Sequence, residues 1–449
     1  MLDNLIKPEI QELIQNRKWK DLRDAIEEWP IPEIAELMLS LDKHDRVLFF
    51  RTLSRQQEAE VFAYLESDQQ NALLKELTDS ESKQLLASLA PDDRAAVINE
   101  LPAELTKQML NLLSPTDLRE VRELLGYPEE SVGRLMTPDY VDVRHQWTIR
   151  QALEHIRKTA RQSETINVVY VTDEKGKLID VLDIKTFIIN DPDKQVKDIM
   201  DDVFVSISAY EDREVAVQMF QKYDKIALPV IDSEGVLLGI VTVDDVLDVA
   251  EEETTEDFHK GAAVAPLTLG YHGTSILALF SKRIHWLIIL VGVNLISSGV
   301  IEHFEEVLEA AIALAFFIPL LIDSGGNSGS QSATIMVRAI ATGDVKLSEW
   351  MRTAGKEIFV GLCLGVAMGL ASWLLGLWRG GFEIGIVVGL AMICIVVTAN
   401  LIGTLLPFIL TRLNIDPAVA SSPLITTIVD ATGLLIYFSI AAAFLDLGL

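Results

Sequence analysis

The chain has 449 residues, a formal net charge of −28 and a positive mean hydropathy of +0.28, so it is too long for a single hydrophobic core and too acidic to hold a nucleic-acid backbone. Its two cysteines, Cys363 and Cys394, fall in apolar stretches, which excludes a disulfide framework, a Zn site and a thiol nucleophile. Charge is dense up to about Arg283, and the start MLDNLIKPEIQELIQ lacks a signal peptide's basic, apolar and cleavage regions, so this half is expected in the cytosol; apolar stretches dominate from Ile284.

The first segment is periodic. Leucine recurs every twelve residues at Leu41, Leu53, Leu65, Leu77, Leu89, Leu101, Leu113 and Leu125, with helix starters such as Ser54, Asp68, Ser80, Pro91-Asp92 and Ser114-Pro115 between. Each period reads as one short helix and its turn. A unit of that size cannot bury its apolar face alone, which predicts an α-solenoid over residues 1–126.

After Gly126-Tyr127-Pro128 strands alternate with helices in two copies, opened by Leu135-Met136-Thr137-Pro138 and Ile199-Met200-Asp201. Each has an apolar strand (166–173, 226–232), a turn at Gly176 or Gly235, a second strand and a closing helix. The layout, with Gly239-Ile-Val-Thr242-Val-Asp244-Asp245, resembles a tandem CBS pair over residues 127–250. In CBS pairs that hold adenine nucleotides a Ser/Thr is followed three residues later by Asp. Thr242 and Asp245 fit, but Asp183 and Thr186 stand in exchanged order, which argues against a nucleotide and for a dimerising scaffold.

Asp244 to Asp257 then carry eight carboxylates in fourteen residues without a base. As a helix the run sets Asp244 against Asp248, Asp248 against Glu252 and Glu253 against Asp257, spacings that repel. The run is either a solvated linker or a collector of cations, and its place at the membrane entrance favours the second. It opens a connecting helix expected over 251–282. Five apolar spans follow near 284–301, 310–340, 357–378, 384–410 and 424–446, each long enough for a hydrocarbon core of roughly 30 Å at about 1.5 Å per residue. Lys282, Arg283, Lys346, Arg352, Lys356 and Arg412 fall on one side and Glu302, Glu305, Glu306 and Glu309 on the other, so the N-terminus is expected inside and the C-terminus outside.

Two spans carry chemistry. The second contains Pro319, Asp323, Gly325, Gly326, Asn327, Gly329 and Gln331, a composition that predicts an irregular backbone lining water. The fifth contains Thr426, Thr427, Asp430 and Thr432. An ionised Asp in a membrane helix costs several kcal/mol unless paired or hydrated, and no Lys or Arg stands at the centre of any span. A passing cation is the best remaining partner, the other reading being a protonated Asp hydrogen-bonded within a helix bundle.

The stretch PLLIDSGGNSGSQSATIMVRAIATGD with PLITTIVDATGLLIYF, in the order N-domain, CBS pair, connecting helix and five-span domain over 283–449, resembles the MgtE family of Mg²⁺ channels. The resemblance implies a homodimer in a bacterial plasma membrane, with its pore on the two-fold axis between the second and fifth spans. It implies a hydrated Mg²⁺ at Asp430, Thr426, Ser422 and Asn327, with Asp323 nearby, and passage of Mn²⁺ or Co²⁺ remains open. A family Asn stands where Ser422 does. Regulatory Mg²⁺ ligands are implied at Glu60, Asp92, Asp212, Glu214, Asp224, Asp245, Asp248, Glu253, Glu256 and Asp257, with one family acid replaced by Ala96. The open alternatives are an ion-coupled divalent transporter and a membrane-anchored CBS sensor. The chain contains no P-loop, G-x-S-x-G or HExxH, so no enzyme activity is expected.

Overall fold

The computed structural model describes residues 3–161, 163–267 and 274–444. Part of the expected connecting helix and the end of the fifth span lie outside these. The chain forms two compact units, Met1–Glu251 and Glu252–Leu449.

The first unit opens with ten helices, from Asp3–Gln15 to Pro115–Leu124. From Ile31 onward they start at Ile31, Lys43, Arg55, Ser67, Asp79, Pro91, Ala103 and Pro115, one every twelve residues. The starts are set locally. Ser54, Thr78 and Ser114 form reciprocal capping boxes with Gln57, Glu81 and Asp117, and Pro91 and Pro115 occupy the first turns, where a missing N–H costs nothing. Alternate helices pack on one another, and the periodic leucines Leu41, Leu53, Leu65, Leu89 and Leu101 are all buried between them.

Two three-stranded sheets follow: β1 (Asp142–Arg144), β2 (Val168–Thr172) and β3 (Leu178–Asp183), then β4 (Ile207–Ser208), β5 (Ala227–Ile231) and β6 (Leu237–Thr242). In each, the first strand is parallel and the third antiparallel to the middle one. The copies repeat at atomic detail. Asp173 accepts from the backbone N–H of Lys175 and Lys177, Asp232 accepts from Glu234 and Val236, and Gly176 and Gly235 take φ of 82° and 83°. The hairpins face each other through the Leu178 N–H to Gly235 O and the Leu237 N–H to Gly176 O, both 3.0 Å. The Thr137 opener of the first copy exchanges backbone hydrogen bonds with Ile240 of the second, so the copies are interlocked.

The acidic helix spans Val243–Gly261, continuous with the end of the second copy, and Ala263 takes a left-handed φ of 58° just beyond it. Among the described residues, four helices are long and apolar enough to cross a membrane: Ile276–His303, Ile312–Ala341 with its 3₁₀ start, Leu347–Arg412 and Ser422–Phe444. The third is a hairpin. Gly381, at φ 85°, breaks it, and its arms run back along each other, with Gly369 against Gly389 and Gly376 against Gly385. Only glycine takes that φ without strain.

The glycine-rich second span differs from its expected irregular form: Ile318–Ala341 is one unbroken helix. Pro319 stands in its first turn, where proline is tolerated. The glycines permit close packing instead. A Cβ at Gly325 would stand 2.5 Å from Ile395 Cγ2, and one at Gly403 would stand 2.1 Å from Gly329 O.

Candidate cation sites

Ser422–Phe444 and Ile318–Ala341 pack side by side in the second unit. At their contact Thr426 lies against Gly326, Ile425 and Val429 against Gly329, and the Ser422 hydroxyl donates to Ser330 Oγ at 3.0 Å. Thr426 donates back to Pro423 O at 3.0 Å, which keeps its oxygen available as an acceptor. Asn327 reaches Asp323 at 3.4 Å, one turn earlier on the same helix. Asp430 is half-buried, and among the described residues its carboxylate makes no hydrogen bond or ion pair; the charge acting on it is Asp323, of like sign. The five residues predicted for the membrane site thus share two adjoining helices. Two carboxylates, an amide and two hydroxyls suit a cation that keeps its water shell.

The predicted regulatory acids are dispersed. Glu60 is exposed and accepts from Gln56 at 2.8 Å; Asp212 caps its helix through the Glu214 N–H; Asp224 sits at that helix's end with φ 50°. Asp92 and Asp245 belong together. Asp92 is 9% exposed and its Oδ1 has no hydrogen-bond partner, while Asp245 accepts from Thr242 at 2.7 Å. Burial, then the charges of Asp245, Asp93 and Glu164, push the Asp92 carboxyl well above the carboxylate range. Burial also pushes Asp245 up to about 7, against the Thr242 bond and with Asp244, Asp93 and Glu164 adding to it. Sequence reasoning missed Asp93 and Glu164, and placed Asp244 in the acidic run without naming it as a ligand. Asp93 and Asp244 each adjoin a predicted ligand, a usable signal, but nothing local ties Glu164 to a residue 80 positions away. Among the described residues no three acidic, His or Cys side chains converge into a ready-made cage, an arrangement compatible with ions held through water.

In the second unit Lys260 donates to Asp416 at 2.6 Å and pairs with Glu256 one turn back. Burial works against its charge, but these two hydrogen bonds hold it above its ordinary value. Asp257 lies in the same group, raised by burial, then by Asp416.

The Asp92–Asp245 cluster makes the first unit sensitive to pH. Because Asp245 is raised from 3.8 to about 7, the compact arrangement binds more protons than an opened one between those values, so its stability falls as pH rises through that window and levels off above it. Without divalent ions, limited proteolysis should therefore cut between the helical repeat and the CBS pair faster at about pH 8 than at about pH 5. Equal rates at both would remove the cluster as a source of repulsion.

The architecture defines a class: a multispanning α-helical membrane protein with a soluble helical-repeat and CBS module. Family models match at residues 318–440 (MgtE, divalent cation transporter), 29–130 (MgtE intracellular N domain) and 132–190 with 196–252 (CBS domain). A magnesium transporter MgtE of Thermus thermophilus is 41% identical over 442 residues, covering 97% of this chain and 98% of that protein. One of Enterococcus faecalis is 38% identical over 437 residues, covering 97% and 96%. Among solved structures, the soluble part of a magnesium transporter aligns at 31% identity and a TM-score of 0.53, covering 56% of this chain and 99% of that one. The cytosolic domain of the Mg²⁺ channel MgtE in complex with ATP aligns at 35% identity and a TM-score of 0.52, covering 54% and 99%. The chain belongs to the MgtE family of divalent cation transporters.

Proposed function

We propose that this protein is a homodimeric Mg²⁺ channel of a bacterial plasma membrane, closed from inside by Mg²⁺ on its acidic soluble half. The observation that carries the reading is Asp430: a carboxylate in a membrane-spanning helix, without a cation partner among the described residues, within reach of the Asp323 charge, and on the pair of adjoining helices that also carries Asn327, Thr426 and Ser422. A two-fold axis beside these helices brings two Asp430 carboxylates to one Mg²⁺, and two negative charges balance it. Counting the arms of the Gly381 hairpin separately gives five passes, with N-terminus inside and C-terminus outside by the basic-residue distribution. The helix-on-alternate-helix packing supports a solenoid, which presents Glu60 and Asp92, while Asp212, Glu214, Asp224, Asp245, Asp248, Glu253, Glu256 and Asp257 supply the remaining regulatory ligands.

The solved relative with ATP raises the question of a nucleotide in the CBS pair. Thr242 and Asp245, hydrogen-bonded to each other at 2.7 Å, keep the order of a nucleotide site in one copy, but the other copy carries Asp183 and Thr186 in exchanged order, which favours a scaffold and a Mg²⁺ sensor over a nucleotide site.

The purified protein in liposomes should pass Mg²⁺ under a membrane potential alone, and competition by Mn²⁺ and Co²⁺ should rank the ions admitted. Flux that requires a proton or sodium gradient would make it a coupled transporter instead.

A further inference from the structure

The helix Ile318–Ala341 has a second polar face. Asp323 and Asn327, four residues apart, form the candidate ion face; Ser328 and Ser332, also four apart, form another, about 100° further round at 3.6 residues per turn. Both serines are buried, and both hydrogen-bond to the Gly381 hairpin. Ser328 Oγ donates to Asn400 Oδ1 at 2.5 Å, and Ser332 Oγ donates to Glu357 Oε2 at 3.2 Å. Asn400, 1% exposed, is on the second arm and Glu357 on the first. Asn400 also packs against the first arm. A Cβ at Gly361, one turn beyond Glu357, would stand 3.4 Å from Asn400 Nδ2, so Asn400 lies flat on the first arm. The two bonds therefore form one ladder across three helices, and the backbones are in close contact beside it, at Gly329 and Gly403.

We propose that Asn400 and Glu357 are positioning residues for conduction: they fix the rotation of the helix Ile318–Ala341, and so the place of Asn327 and Asp323 relative to Asp430. The glycines let Ile395 and Val429 pack closely against this helix, and the directional hydrogen bonds of Ser328 and Ser332 add a polar constraint on its rotation. Side chains reach about 5 Å from a helix axis, so a rotation of about 20° would carry Asn327 by about 2 Å. Ion-binding groups tolerate about 0.5 Å. The ladder thus acts on how well the hydrated ion is recognised, through residues that never touch it. This inference rests on the reading of Asp430 and Asn327 as the ion site.

The test is Mg²⁺ flux by the full-length protein in liposomes against Mg²⁺ concentration, with Ca²⁺ as competitor. Asn400→Leu and Glu357→Leu should raise the half-saturating Mg²⁺ by about three- to tenfold each and weaken discrimination against Ca²⁺. Glu357→Gln, which keeps an acceptor for Ser332, should restore the parental values. If the leucine variants fail to fold, Ser328→Ala and Ser332→Ala delete the same bonds and carry the same expectation. Parental half-saturation and selectivity in correctly assembled variants would overturn the proposal, and so would a Glu357→Gln as impaired as Glu357→Leu, which would make the charge rather than the bond the active element. Asp430→Asn is measured alongside. If it conducts normally, the ion site itself is misassigned; if it does not conduct while the ladder variants behave as parent, this inference alone fails.

Discussion

Asp430→Asn should reduce Mg²⁺ flux by on the order of a hundredfold or more. At about 4 Å and an effective dielectric near 20, one carboxylate interacts with a unit charge by about 4 kcal/mol, and the substitution removes that attraction from both subunits of the proposed dimer. The fold should tolerate it. Asn matches Asp in volume, and among the described residues Asp430 makes no hydrogen bond or ion pair that the change would break, while removing the like charge beside Asp323 relieves repulsion. Expression, size-exclusion behaviour and melting temperature should therefore stay near the parent's while isotope or fluorescent-indicator uptake collapses. Unchanged uptake would rule Asp430 out as the ion site.

The second large effect concerns closure. Asp248, Glu253, Glu256 and Asp257 stand on one helix, where Lys260 pairs with Glu256 while also binding Asp416. Neutralising all four as Asn and Gln, or removing residues 1–257, should leave a pore that conducts regardless of internal Mg²⁺. Moving a two-state equilibrium from 1:99 to 99:1 takes about 5.5 kcal/mol of differential binding, which several modest sites can supply together and which vanishes when their ligands do. In the parent, millimolar Mg²⁺ should protect the segments 126–135 and 250–265 from protease; in the neutralised protein it should not. If that protein still closes at the parental internal Mg²⁺, the acidic run is a solvated linker and the sensor lies elsewhere.

The sequence by itself determined what is encoded within a few residues. The twelve-residue repeat was legible because capping groups and first-turn prolines act locally at Ser54, Pro91 and Ser114-Pro115, whereas the expected starters Asp68 and Ser80 lie inside helices capped at Glu66 and Thr78. The two sheet copies were visible because their Asp-to-Gly turns repeat. That the second half carries long apolar helices was legible from length and hydropathy; among the described residues there are four, the third broken at Gly381. Asp430 stood out because a carboxylate in hydrocarbon is costly wherever its helix packs.

Only the tertiary structure decided what depends on distant neighbours. Glycines and a proline in the second span suggested an irregular backbone, yet the helix is continuous, because Pro319 falls in its first turn and the bulk of Ile395 and Val429 fills the space the glycines leave. No local rule joins Glu164 to Asp93 and Asp244, Lys260 to Asp416 across 156 residues, or Ser328 to Asn400. A side chain's period says which face it occupies; which face of which other element it meets is set by how the apolar surfaces close against each other, and the polar groups take the partners that this packing leaves within reach.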